Sequence, residues 1–119
     1  MIYFKPYELR CQHCGQQGVK PDFLEIINQI REDWGQPLRV NSAYRCRNHP
    51  IEYRKPSVGT HTYGTAVDLD IPASLHYTFL QLVFTKHPVI QGIGIALTYI
   101  HLDIGGMGKK RPLLWTYGD

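Results

Sequence analysis

The strongest hydrophobic pattern along the chain lies between residues 21 and 35 and has the period of a helix. Pro21 in the first turn, Asp22 beside it and Gly35 after the last turn are typical of helix ends. Apolar side chains recur between these ends every three to four positions, which predicts one buried face made of Phe23, Ile26, Ile27, Ile30 and Trp34.

A second helix is predicted after Pro72, with its end before Pro88. We interpret His76 and His87, within and at the end of this helix, as surface histidines. The buried face has the same helical period and consists of Leu75, Phe79, Leu82 and Val83.

Short alternating runs between the helices predict strands over residues 38–42, 66–71, 92–95 and 98–104, and a final strand or extended tail over 112–117. Two helices separated by such runs predict an α+β fold. We expect a small, mainly antiparallel sheet with the helices packed on one face. Because 119 residues can bury one core, we expect residues 1–119 to form a single domain.

Two histidines and an aspartate have the side chains of a catalytic zinc site. His61 lies in a loop that turns at Gly64, and Asp68 lies on the strand that follows. His101 lies on a later strand and would meet them on the sheet face opposite the helices. Two imidazoles and one carboxylate leave a fourth position open, as in catalytic zinc sites, and imidazoles are poor ligands for magnesium or calcium. The sequence therefore predicts one catalytic zinc ion.

Hydrolysis at such a zinc ion requires a general base that accepts a proton from the attacking water. Alternation places Asp103 and Tyr99 on the same face as His101. Asp70 has the equivalent position on the other ligand strand, and Glu52 is a further candidate. Asp103 or Asp70 could instead orient a histidine ligand through a hydrogen bond. We take Asp103 as the candidate base and Tyr99 as a candidate donor to the substrate oxyanion.

Arg45 follows the first predicted strand and directly precedes a polar loop over residues 47–60. One interpretation is a surface or ion-paired arginine. The other is a guanidinium that holds a substrate carboxylate or carbonyl beside the metal, since its planar fork matches such groups. The loop is long enough to form one wall of a cleft.

The three cysteines are odd in number, which argues against a complete disulfide framework. Cys11 and Cys14 form a Cys-x-x-Cys-Gly turn, and His49 follows Cys46 by three residues. These four residues have the composition of a Cys₃His structural zinc site. The alternative is free thiols in a reducing compartment. A second, structural zinc ion is therefore one of two open interpretations.

Composition excludes several classes of protein. With 43% hydrophobic and 19% charged residues, the chain is globular rather than disordered. A net charge of +3 without a dense basic run argues against nucleic acid as the main partner. No apolar segment is long enough to span a bilayer, and the N-terminus lacks the pattern of a secretory signal. We expect a monomer.

Several separated motifs follow one another along nearly the whole chain. They are the Cys-x-x-Cys-Gly run at 11–15, residues 40–46, His61-x-x-Gly64-x-Ala66-x-Asp68, Gly92-Ile93-Gly94, His101, and the closing Arg-Pro…Trp-x-Tyr. In this order they resemble the M15 peptidases, which are zinc D-Ala-D-Ala carboxypeptidases and peptidoglycan endopeptidases with a fold shared by the Hedgehog signalling domain. Spacing alone would also fit three unrelated polar residues, but the order of the motifs favours a metal site.

The resemblance implies zinc-dependent hydrolysis of peptidoglycan stem or cross-bridge peptides, with Arg45 holding a substrate carboxylate. Two departures bear on this. Gly59 stands where the family often has serine, and Thr98 and Tyr99 stand where many members have an acidic residue or histidine. The second departure leaves open a catalytically inactive, metal-containing module that binds the wall or has a structural role. Without a visible signal, a wall enzyme would be made in the cytoplasm and act after release, as a phage or prophage lysin does, or as part of a phage particle.

Overall fold

The computed structural model describes residues 3–117, which form an α+β fold around one sheet. Its strands are β1 (Arg39–Ser42), β2 (Ala66–Asp70), β3 (Gly92–Ile95), β4 (Tyr99–Asp103) and β5 (Leu113–Thr116). Their order across the sheet is β1-β2-β4-β3-β5. The first four pair antiparallel, as the sequence predicted, and β5 lies parallel to β3. The sheet is therefore mixed rather than wholly antiparallel.

The helices of the described residues are α1 (Pro6–Leu9), α2 (Pro21–Trp34), α3 (Thr60–Tyr63) and α4 (His76–Lys86), and a short 3₁₀ turn (Ala73–Leu75) precedes α4. Both predicted helices are confirmed. Gly35 ends α2 with φ of 75°, in the left-handed region that glycine adopts without strain. The sequence did not predict α1 and α3, because four residues carry no periodic pattern.

Alternation along β2 and β4 separates an apolar face of the sheet from a polar one. Helices α2 and α4 cover the apolar face with buried side chains such as Phe23 and Phe79. Asp68 on β2 and His101 on β4 each lie between two apolar residues of their strand and therefore point to the other face, as expected. The sheet residues of the apolar face, each fully buried, are Val67, Leu69, Ile100 and Leu102.

The parallel direction of β5 follows from the short connection after β4. Because β4 already pairs with one side of β3, β5 pairs with the other side, and not with the more distant free edge of β1. Residues 104–112 pass Gly92, the first residue of β3, so β5 starts at the end of the sheet at which β4 ends. It therefore runs in the same direction as β3. Gly92 and Gly94 leave room on β3 for side chains of the segment that follows β4. A Cβ atom at Gly94 would lie only 2.5 Å from Trp115 Nε1.

One histidine differs from its interpretation as a surface residue. His87 is buried, and its Nε2 lies 2.7 Å from Asp33 Oδ2, whereas His76 is only partly buried. The partner lies on α2, far away in sequence, and no local pattern on α4 indicates it. Among residues 3–117, no helix has both the length and the apolar character needed to cross a membrane.

Candidate metal centre

Three elements bring His61, Asp68 and His101 together. Asp68 and His101 lie directly opposite each other in the antiparallel pair of β2 and β4. His61 lies on α3, which ends at Gly64 with φ of 88°. A Cβ atom at Gly64 would collide with the carbonyl oxygen of Gly18, so only glycine permits the turn that leads from α3 into β2. All three candidate ligands are buried.

The donor atoms of these residues have the spacing of zinc ligands. One atom from each of the three lies within 4.8 Å of the others. Asp68 Oδ1 is 3.3 Å from His61 Nε2 and 2.9 Å from His101 Nδ1. Ligands about 2.0–2.1 Å from a tetrahedral zinc ion are roughly 3.3 Å from each other. The residues therefore fit a zinc ion.

Hydrogen bonds on the far side of each ring determine which nitrogen faces Asp68. His61 Nδ1 lies 2.6 Å from the carbonyl oxygen of Ala43, which can only accept, so Nδ1 carries the proton. His101 Nε2 donates in the same way to Asp103 Oδ2 at 2.6 Å. In the neutral rings, both remaining nitrogens direct lone pairs at Asp68 Oδ1. Lone pairs at this separation need a cation between them.

The charge states of the three ligands agree with this requirement. Burial lowers the pKa of His61 and keeps its ring neutral. Burial also opposes protonation of His101, but hydrogen bonds with Asp103 and Asp68 outweigh it and raise the pKa of His101. Desolvation would raise the pKa of Asp68, yet His101 and His61 hold that pKa well below its usual range. A proton on His101 therefore occupies the position that a metal ion would take.

Asp103 is fully buried behind His101, and both its oxygens accept hydrogen bonds. Arg111 donates from Nε to Oδ1 at 2.9 Å and from Nη2 to Oδ2 at 2.7 Å, and the Gly105 amide donates to Oδ1 at 2.9 Å. Desolvation opposes ionisation, but Arg111 and His101 hold the pKa of Asp103 well below its usual range. A general base needs an oxygen that can reach the attacking water. This geometry favours the alternative role for Asp103, the orientation of His101.

Arg45 lies beside the candidate ligands and is ion-paired, and its role in substrate binding stays a prediction. Its Nη2 is 3.3 Å from Asp68 Oδ2, its Nη1 is 3.1 Å from Glu52 Oε2, and its Nε donates to Ser42 Oγ at 3.1 Å. Each terminal nitrogen carries a second N–H, which these contacts do not use. Glu52 is buried and also paired with Lys55 at 3.0 Å, so it fixes the position of Arg45.

A cleft of about 390 Å³ opens in front of the candidate ligands. Lys109 Nζ lies 3.3 Å from Ser57 Oγ, which links the turn after β4 to the loop over residues 47–59. Asp68 is the only carboxylate that lines this cleft among residues 3–117. The remaining charged and aromatic lining consists of Arg45, Lys55, Lys109, Arg111, Tyr99, Trp115 and Tyr117.

No role was predicted for Arg111, Trp115 and Tyr117, although the closing Arg-Pro…Trp-x-Tyr motif contains them. The Trp115 ring lies 5.1 Å from the His101 ring, between centroids, and Arg111 Cζ lies 5.2 Å from the Trp115 ring centroid. Burial raises the pKa of Tyr117 to about 12. The signal for Trp115 and Tyr117 was their alternation along one strand, which places both rings on the cleft side.

The cysteines form a second group, on the side of the fold where the N-terminal segment meets residue 46. One sulfur from each of Cys11, Cys14 and Cys46 lies within 4.8 Å of the others, and all three are free thiols. His49 lies outside this group. Desolvation would raise the pKa of Cys11, but backbone N–H groups of Cys46, Cys14 and His13 donate to its sulfur and lower the pKa to about 7.

Comparison with known proteins identifies one family. A model of the peptidase M15 family matches residues 2–103, which include all three candidate zinc ligands and Arg45. No curated protein and no solved structure matches the chain.

Proposed function

The chain belongs to the peptidase M15 family and is therefore a zinc metallopeptidase, and we propose that its substrate is the peptide of bacterial peptidoglycan. The reaction is hydrolysis of a peptide bond in the stem or cross-bridge. The enzyme is then either a D-Ala-D-Ala carboxypeptidase or a cross-link endopeptidase.

The charge of the cleft is the observation that carries this proposal. Four cationic side chains line it, and three of them are paired with the carboxylates of Asp68, Glu52 and Asp103. With a zinc ion bound, these positive charges exceed the three carboxylates, so the cleft is cationic. Wall peptides contain free carboxylates at D-alanine and at acidic stem residues, so a cationic cleft attracts them. Trp115, on the edge strand β5, and Tyr117 line the same cleft and offer aromatic surface to a bound peptide.

The residues around the donor group have separate tasks in this reaction. His61, Asp68 and His101 would hold the zinc ion, which would supply an activated water and polarise the scissile carbonyl. Arg45 holds the substrate carboxylate or carbonyl through its two unused N–H groups. Tyr99 lines the same cleft and donates a hydrogen bond to the developing oxyanion.

Asp103 and Arg111 act as positioning residues in this proposal. Asp103 accepts from His101 Nε2 and so holds Nδ1 toward the metal position. Arg111 in turn keeps Asp103 ionised, because it binds both oxygens of that carboxylate. In this proposal Asp103 orients His101 and does not act as the general base that the sequence suggested.

The test is digestion of purified peptidoglycan, followed by mass spectrometry of the released fragments. We expect new amine termini with the native protein, and none after treatment with a zinc chelator. Release of free D-alanine identifies a carboxypeptidase, whereas separated stem peptides identify an endopeptidase. Bound zinc without any product, from several peptidoglycan types, would contradict the proposal and favour an inactive wall-binding module.

Arg45→Ala tests how the substrate is held. Loss of a charge-assisted hydrogen bond should raise KM by roughly ten- to a hundredfold, with a smaller change in kcat. Arg54→Ala is the matched control, because Arg54 is exposed in the loop that follows Arg45 and, among residues 3–117, its guanidinium contacts the neighbouring Tyr53. Zinc content is measured in both variants, since Arg45 also contacts Asp68. An equal effect of the two substitutions on KM would remove Arg45 from substrate binding.

We further propose that the enzyme acts on the wall after release from the cell or as part of a phage particle. Cells that produce the protein fused to an export signal should then lyse, while cells that retain it in the cytoplasm should not. Equal growth of the two cultures, with active enzyme in both, would contradict this site of action.

A further inference from the structure

The cysteine group lies outside the peptidase site, and its geometry is specific. Cys11 and Cys46 are buried, at 1% and 8% exposure, while Cys14 is exposed. Their sulfurs lie within 4.8 Å of one another, although Cys46 is distant in sequence from the other two. Thiolates bound to one tetrahedral zinc ion at about 2.3 Å are roughly 3.8 Å apart. The three sulfurs therefore need only a small contraction to share one ion.

The turn after Cys11 has the hydrogen bonds that position such sulfurs. The Gly15 amide donates to the Cys11 carbonyl at 2.8 Å, and the Cys11 amide donates to the Gln16 carbonyl at 2.9 Å. The first bond closes the turn that keeps Cys14 near Cys11, and Gly15, with φ of 76°, directs the following residue back toward Cys11. The Cys46 amide also donates to Cys11 Sγ at 3.3 Å, which stabilises a thiolate there.

We propose that Cys11, Cys14 and Cys46, together with His49, bind a second, structural zinc ion. Thiolate sulfur is a ligand that selects zinc over the hard cations, and three sulfurs cannot all be satisfied by one disulfide. A tight turn keeps His49 near Cys46, because the His49 amide donates to the Cys46 carbonyl at 3.0 Å. Its Nδ1 now accepts from the Ile51 amide at 3.1 Å, so the ring must turn to reach the ion. Each cysteine releases its thiol proton on binding.

This ion would hold in place residues 44–46, the segment that carries Arg45. The Tyr44 amide donates to the Leu9 carbonyl at 3.2 Å, and the Arg45 amide donates to the His61 carbonyl at 3.3 Å. Cys46 follows directly and contacts Cys11. Residues 44–46 therefore lie between the N-terminal segment and α3, and a zinc ion at Cys46 would link the end of this segment to Cys11 and Cys14.

Metal analysis of four proteins tests the proposal without any activity measurement. We expect two zinc ions per chain in wild type, one in Cys14→Ser, one in His61→Ala and none in the double variant. Cys14 is chosen because it is exposed, so its loss removes no core contact. One zinc ion in wild type, retained in Cys14→Ser and lost in His61→Ala, would overturn the second site while leaving the peptidase site intact.

Two further measurements cover misfolding and ligand identity. In wild type alone, blocking the thiols with a mercurial reagent should release one zinc equivalent and leave the other bound, whereas a disulfide found in protein kept under reducing conditions would overturn the proposal. His13→Ala is the matched control for His49→Ala, since the two rings are 6.0 Å apart. We expect His49→Ala to weaken binding of the second ion by at least tenfold and His13→Ala to leave it unchanged. Unchanged binding in His49→Ala would overturn the ligand set.

Hydrogen exchange tests whether the second zinc ion holds residues 44–46 in place. The amides of residues 44–46 should exchange faster in Cys14→Ser than in wild type, and those of β4 should not change. Equal exchange at residues 44–46 in the two proteins would overturn that role.

Discussion

The two faces of the central sheet use the same strands for different purposes. Leu102 lies between His101 and Asp103 on β4, yet it points into the apolar core while its neighbours form the metal side. The apolar face stabilises the fold through burial, which has no strict directional requirement. The polar face also buries its groups, and burying charge is unfavourable unless each group is paired. Within residues 3–117, every buried side-chain polar atom has a partner.

The apolar face mainly determines the stability of the fold, and the polar face determines the metal site. On the apolar face, a side chain can lose contacts and the site can remain intact. On the polar face, each group depends on a named partner, so a single change affects the metal position. Substitutions on the two faces should therefore separate the free energy of unfolding from zinc binding and turnover.

The largest effect is expected on the polar face, from His61→Ala. Removal of one ligand abolishes tight zinc binding, so turnover should fall by about four orders of magnitude or more. The measurements are zinc content and hydrolysis of peptidoglycan. Unfolding in urea with a chelator present should show a loss of stability smaller than that of the core variant described next. A variant that keeps its zinc and its rate would show that His61 is not a ligand.

Leu102→Ala is the matching change on the apolar face of the same sheet. Leu102 is fully buried, and truncation of a buried leucine costs about 2–5 kcal/mol of unfolding free energy. The folded protein should still bind zinc and keep a kcat near that of wild type. Leu97→Ala is the control, because Leu97 is 78% exposed and its loss should change stability by no more than about 0.5 kcal/mol. A loss of zinc from folded Leu102→Ala would mean that the two faces are not separable.

Asp103→Asn distinguishes the positioning role from the base role. If Asp103 orients His101, zinc affinity should fall roughly 10- to 100-fold, and excess zinc should restore most of kcat. If Asp103 is the base, kcat at saturating zinc should fall by about two to four orders of magnitude. The measurements are zinc titration and kcat at saturating zinc. Asp70→Asn is the control, since Asp70 is exposed at the end of β2 and should tolerate the change.

The long periodic elements could be predicted from sequence. The stripe that ends at Trp34 predicted α2 to the residue, and alternation predicted β2 and β4 to within two residues. The converging ligands were recognised from the order of the motifs around them, because their spacing alone would also fit three unrelated polar residues. Short elements such as α3 have no period to detect, so they were missed.

Contacts between distant residues could not be predicted, because local patterns do not contain them. The role of Asp103 depends on Arg111, which reaches it only because the turn after β4 passes the end of β3. The burial of His87 depends in the same way on Asp33 of α2. The direction of β5 depends on which edge of the sheet is free, and alternation says nothing about strand order.

The smallest effect is expected from Gly94→Ala, at the aromatic edge that Trp115 and Tyr117 form beside the metal side of the sheet. A Cβ atom at Gly94 would lie 2.5 Å from Trp115 Nε1 and 2.8 Å from Tyr117 Cε2. Gly94→Ala should therefore displace both rings and cost about 1–3 kcal/mol, since overpacking at an edge is partly relieved by movement. Because Trp115 covers His101, we expect KM to rise with little loss of zinc. The measurements are urea unfolding, KM on wall peptides and zinc content.

A double-mutant cycle with Trp115→Leu shows whether the effect comes from this contact. The smaller side chain leaves space for the new methyl group, so Gly94→Ala should cost less stability in the Trp115→Leu background than in wild type. Additive effects of the two substitutions would show that the methyl group acts elsewhere, on the pairing of β3 itself. In that case the close approach of Trp115 to β3 would not be what requires glycine at position 94.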